Sequence, residues 1–94
     1  MIPEKIKIGW KQYKIIHAKE ALNDGSELYG QISYDRQTIT LRASNSPEQD
    51  EATFIHEVLH GVSEMYGLGL DEKAVTLLGD ALYTVVGDNG INLF

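Results

Sequence analysis

Thr53-Phe54-Ile55-His56-Glu57-Val58-Leu59-His60-Gly61 lies inside a stretch that reads as helix, while the chain before it reads as strands. Ser46, ahead of Pro47 and Glu48, is a good N-cap, with proline at the first helical position and acid in the first turn. The pattern predicts a helix from Pro47 to Tyr66 that stops at Gly67, a left-handed cap. A helix advances about 100° per residue, so His56 and His60 stand about 40° apart on one face, one turn from each other. Both imidazoles can then reach a single Zn²⁺, and Glu57 follows the first ligand, where its carboxylate can take a proton from a metal-bound water. The spacing points to metal-dependent peptide hydrolysis.

Two histidines on a helix can also be merely solvated. Here the chain has three histidines, and two of them make the motif. The helix's apolar residues, Phe54, Ile55, Val58, Leu59, Val62 and Met65, gather on an arc whose mean direction is roughly 130–150° away from the two histidines. Burial in a core therefore does not account for them.

Ninety-four residues suit one domain, here residues 1–94, with a modest two-layer core, and 43% hydrophobic content is ordinary for a globular chain. Fourteen acidic residues against eight basic ones, a formal charge of −6, argue against a nucleic-acid-binding surface. With no cysteine, a zinc site must use histidine, carboxylate and water. No long apolar segment resembles a signal peptide or a membrane span, so no membrane is implied and a cytoplasmic location is the default expectation.

Working back from the helix, Thr38-Ile39-Thr40-Leu41-Arg42 and Tyr29-Gly30-Gln31-Ile32-Ser33-Tyr34 both alternate and join through Asp35-Arg36-Gln37 as a hairpin. Asn23-Asp24-Gly25-Ser26 is a turn cluster. Gln12-Tyr13-Lys14-Ile15-Ile16-His17 and Lys5-Ile6-Lys7-Ile8 are extended, with a break at Gly9-Trp10; His17 reads as a strand-surface residue without a role. Working forward, Asp71 caps a second helix that runs to about Val86 and ends in Gly87-Asp88-Asn89-Gly90. The expected fold is α+β: a small, mostly antiparallel sheet of three to four strands followed by two helices packed on one face, the first carrying His-Glu-x-x-His. The short Leu68-Gly69-Leu70 link makes the helices near neighbours.

A hydrolytic zinc site wants a third protein ligand. The second helix shows a polar stripe, Glu72, Thr76, Gly79, Asp80 and Tyr83, that can face the motif helix. Glu72 would sit above the metal and Asp80 below it, and geometry leaves the two close to even. Asp71 lies behind them, and Glu64, a third consecutive turn of one helix, cannot wrap a tetrahedral ion.

Residues 29–83 carry a resemblance on Gly30-Gln31-Ile32-Ser33-Tyr34-Asp35, Gln37-Thr38-Ile39-Thr40-Leu41, Ser46-Pro47-Glu48-Gln49, the His56-Glu57-Val58-Leu59-His60 motif, Glu72-Lys73-Ala74-Val75 and Leu78-Gly79-Asp80-Ala81-Leu82-Tyr83. These segments resemble the small zinc metallopeptidase-like (zincin) proteins of phages and mobile elements, akin to the ImmA/IrrE group. In that group a glutamate on the helix after the motif precedes a small or aliphatic position and then an apolar-small pair. Glu72, with Val75 and Leu78-Gly79, looks like that arrangement, so the resemblance favours Glu72 over Asp80 as third ligand. This chain departs from the larger members in its shorter link and in lacking an accompanying DNA-binding region.

The expected site is His56, His60 and Glu72 on one Zn²⁺ per chain, with Glu57 as general base and a peptide or protein as substrate. Tyr83 and Tyr66 are candidate donors to an oxyanion, though each is more often a packing residue. A peptide can add alongside the Thr38–Arg42 strand if an edge of that strand is open. The competing expectations are a non-catalytic zinc-stabilised module binding a repressor-like protein, and a metal-free acidic protein binding a basic partner. A two-histidine, one-carboxylate set also suits Fe²⁺.

Overall fold

Alternating lysine and isoleucine make β1 (Lys5–Ile8), which turns through Gly9-Trp10 into β2 (Lys11–Ala18) as an antiparallel hairpin. Gly9 takes φ +61°, the positive angle that a two-residue turn of the II′ kind places at its first central position. The computed structural model describes residues 2–19 and 29–91, so the turn cluster at residues 23–26 lies outside the described residues. β3 (Gly30–Ser33) and β4 (Thr38–Arg42) form the expected hairpin. Its turn is closed with Gln37 at φ +52°, whose side-chain Nε2 donates to the Gln12 carbonyl at 3.0 Å.

The sheet order is β1-β2-β4-β3, with β2 and β4 parallel and the two outer pairings antiparallel. β4 is thus an inner strand paired on both sides, which overturns the expectation that a peptide could lie along it. The alternation of Thr38-Ile39-Thr40-Leu41-Arg42 reports that one face is buried, and Ile39 and Leu41 are fully so. It carries no information about whether the strand's hydrogen-bonding edges are taken.

Ser46 caps α1 (Pro47–Tyr66), its Oγ accepting from the Gln49 N–H at 3.1 Å, and Gly67 ends it at φ +63°. The Asp71 side chain caps α2 (Glu72–Asp88), accepting from the Ala74 N–H at 2.8 Å. Between them the buried Ser63 hydroxyl accepts from the Leu70 N–H at 2.9 Å, tying the link back onto α1. The architecture is α+β, a four-stranded sheet followed by two helices. α1 packs against β1, β3 and β4, whereas α2 packs against α1 alone among the described elements.

The core joins Ile8, Tyr13, Ile39 and Leu41 to Val58, Val62 and Met65 of α1. Two glycines set how closely α1 approaches the sheet. A Cβ on Gly61 would stand 2.7 Å from Ile8 Cδ1, and one on Gly30 would stand 2.6 Å from Thr53 Cγ2 and 2.9 Å from the Thr40 carbonyl oxygen. Among the described residues no helix is long and apolar enough to cross a membrane.

Candidate metal centre

His56 and His60 project from successive turns of α1, their ring centroids 4.9 Å apart in an edge-to-face arrangement. Glu72 comes from the first turn of α2, placed there by the Asp71 cap. Its Oε1 lies 2.8 Å from His56 Nε2 and its Oε2 lies 2.7 Å from His60 Nε2. One ligand atom from each of the three residues can be chosen so that all lie within 4.8 Å of one another. The histidine side chains are about one-fifth exposed and that of Glu72 is 69% exposed, so the cluster opens to solvent on the α2 side.

This donor set suits a divalent ion. Two imidazole nitrogens and a carboxylate are ligands that zinc accepts, and among the described residues no further histidine or carboxylate joins the group. An octahedral ion of the two-His, one-carboxylate kind fits the same donors.

Glu57 lines the same groove as the two histidines and Glu72, yet is only 7% exposed. Burial pushes its carboxyl up to about 7, and the Glu72 charge adds to the shift. A carboxyl titrating near neutrality beside a donor cluster is a known signature of proton-transfer sites, though ion-pair networks also produce such shifts.

The other expected acids stay outside the donor cluster. Asp80 shares a cleft of about 270 Å³ with His56, Glu57, Glu72 and Gly79, but its carboxylate does not join the three converging donors. Asp71 is occupied as the α2 cap. Glu64 faces Lys11, its Oε1 3.5 Å from the Nζ. Gly79 brings α2 close to α1: a Cβ there would stand 3.7 Å from the His56 Cα.

Neither helical tyrosine serves the cluster. The Tyr83 hydroxyl donates to Glu51 Oε1 at 2.9 Å, and Tyr66 is 63% exposed at the end of α1. The phenol that does face the site is Tyr34, in the β3–β4 turn, which the sequence reading passed over. It shares a groove with His56, Glu57, His60, Glu72 and the β3 edge, and its hydroxyl lies 3.5 Å from the His60 carbonyl oxygen. Burial raises its titration point, followed by the charges of Glu57, Glu64 and Glu72. The one available signal was its place directly after an alternating strand, which turns a hairpin aromatic toward whatever packs on the sheet.

Comparison with protein-family models, curated proteins and solved structures finds no match for this chain.

Proposed function

We propose that the protein is a zinc-dependent hydrolase of peptide bonds, in which His56, His60 and Glu72 hold one Zn²⁺ per chain and Glu57 is the general base. The observation that carries this reading is a juxtaposition. Both histidine Nε2 atoms meet the two oxygens of one carboxylate within 2.8 Å, and the residue between the histidines that chemistry needs as a base is buried with its carboxyl raised to about 7. When bound, Zn²⁺ supplies Lewis-acid polarisation of a carbonyl and lowers the pKa of water toward neutrality. Glu57 accepts a proton on a carboxylate oxygen and returns it to the leaving amine. Tyr34 offers a phenol O–H on the same groove for a developing oxyanion.

An extended peptide fits the free edge of β3, which pairs only with β4 among the described strands and borders the groove that contains the cluster. The resemblance to phage-type zincins of the ImmA/IrrE kind and a cytoplasmic setting belong to this same proposal. The test is zinc content together with cleavage of a mixed peptide library read by mass spectrometry. The expected result is about one zinc per chain, lost in His60→Ala and Glu72→Ala, with cleavage abolished but zinc retained in Glu57→Gln. Failure to bind zinc in the parent chain removes the proposal.

A second reading has its own support. α2 touches the rest of the described fold only through α1, and Glu72 is where it meets the histidines. An ion there fastens two helices and stabilises folding without any reaction, as in a zinc-dependent interaction module. Stoichiometric zinc with no cleavage of any library peptide, and no difference between parent and Glu57→Gln, favours that module.

A further inference from the structure

Among the described elements the charges divide unevenly. The four strands contain no acidic residue, while α1 and α2 together carry eight acids against the single cation Lys73. Strand alternation sends Ile8, Tyr13, Ile39 and Leu41 toward α1, so their neighbours line the opposite face of the sheet, on which none of the described elements packs. The register sets Lys5, Lys14, Thr38 and Ser33 in one row across that face, with Lys7 opposite Gln12 beside it. Arg36, in the turn, lines a shallow depression of about 530 Å³ on the same face with Ile16, Gln31, Ser33, Thr38 and Thr40.

None of Lys5, Lys7, Lys14 and Arg36 has a carboxylate partner among the described residues. Lys5 stands directly opposite Lys14, and like charges paired across strands are destabilising, so an anion bridging them relieves a repulsion that the fold itself leaves in place. From these observations we infer that this face of the sheet binds the phosphate backbone of a nucleic acid without reading its bases.

The chemistry of the face selects this occupant. Lysines and an arginine are flanked by hydroxyl and amide donors from Ser33, Thr38, Thr40, Gln31 and Gln12, groups that commonly bond phosphate oxygens. A protein partner needs an apolar centre, and the strand residues here offer only Ile16, at 38% exposure, and the small Ala18. No aromatic strand residue lies on this face, so there is no platform on which unstacked bases would sit. The acidic helices repel the same ligand, which fixes one orientation: nucleic acid against the sheet, and the helical side facing away. This inference stands whether or not the helical side is a peptidase.

The experiment is fluorescence anisotropy of the full chain with a labelled 20-base-pair DNA duplex at low salt, with a single strand of equal length, polyglutamate and anionic lipid vesicles in parallel. Lys14→Glu and Lys73→Glu change net charge identically on opposite sides of the molecule, and circular dichroism confirms that both fold. Binding is expected for duplex and single strand alike, weakening with salt on a log–log slope of about −3 for three to four phosphate contacts. Lys14→Glu should lower affinity on the order of tenfold and Lys73→Glu less than twofold. Equal losses in the two variants, no binding at low salt, a more than tenfold preference for the single strand, or tighter binding to polyglutamate or vesicles would each overturn the inference.

Discussion

α1 and α2 are of similar length, 20 and 17 residues, yet six residues of α1 are buried and two of α2, Val75 and Gly79. α1 is gripped from both sides, by the sheet and by α2. α2 is held from one side and leaves Leu77, Leu78, Leu82 and Val85 exposed. The candidate donor set crosses this unequal joint: two ligands stand on the helix that the fold fixes, and the third stands on the helix that it holds lightly. A site built that way has a preorganised half and a half that an ion can recruit.

The sharpest contrast is in packing. Ile55→Ala should cost about 2–4 kcal/mol, as buried isoleucines do, while Leu77→Ala on the outer face of α2 should cost less than about 0.5 kcal/mol. Urea unfolding of the two variants measures the difference, and similar losses would mean that α2 is covered in solution. Next in size is the ion. Saturating Zn²⁺ at about a hundred times its dissociation constant should add about 2.7 kcal/mol. In a domain of this size that is a rise of roughly 10–20 °C in melting temperature. Amide exchange should place the added protection in α2, and His60→Ala should remove it; protection spread evenly over α1 and the sheet would break the contrast.

A third test uses the charge that α1 buries. In metal-free protein the folded-state carboxyl of Glu57 titrates at about 7 against 4.5 for an unperturbed group. The folded state therefore holds this proton more tightly than the unfolded state. Its relative stabilisation is fully present below about pH 4.5 and is lost as pH rises through 7, on the order of 3 kcal/mol. Glu57→Gln should flatten that part of the stability profile, whereas Glu72→Gln on α2 removes only the smaller, charge-driven part of the shift and should leave most of it in place. The smallest effect tests the contact itself. Gly79→Ala places a methyl at ordinary contact distance from His56 and Leu59, so it should be neutral or stabilising by up to about 1 kcal/mol through helix propensity. Gly61→Ala, which meets Ile8 at 2.7 Å, should be destabilising at the α1–sheet contact, and the two thermal melts together read the sign change.

What the sequence disclosed and withheld follows the range of the interactions. Ser46, Gly67 and Asp71 act on backbone groups a few residues away, so both helix starts and the end of α1 were legible from local chemistry. The placement of His56 and His60 on one face of α1 needed only the helical period. Which of Glu72 and Asp80 lies against the histidines was different, because it depends on how two helices cross. The cap at Asp71, the Ser63 hydroxyl on the link and the close approach at Gly79 together put Glu72 there. Strand order was equally out of reach. The turn at Asp35-Arg36-Gln37 gave β3 as one neighbour of β4, but alternation reports only which face is buried, and nothing in Thr38–Arg42 says that its other neighbour is β2. Tyr34 was missed for the same reason, since its surroundings come from α1 and not from the hairpin that holds it.

That strand order also governs assembly. β4 follows β3 in the chain but lies between β3 and β2, with Ile15 beside Ile39 in the parallel pairing. The sheet cannot grow by adding strands to an edge in the order of synthesis. The β1–β2 hairpin has no central partner until β4 has been made, and α1 begins only a few residues later. Loop closure must therefore precede the pairing that rewards it, which makes this step the natural bottleneck of folding. Lengthening the segment that joins β2 to β3 should slow refolding while leaving the unfolding rate nearly unchanged.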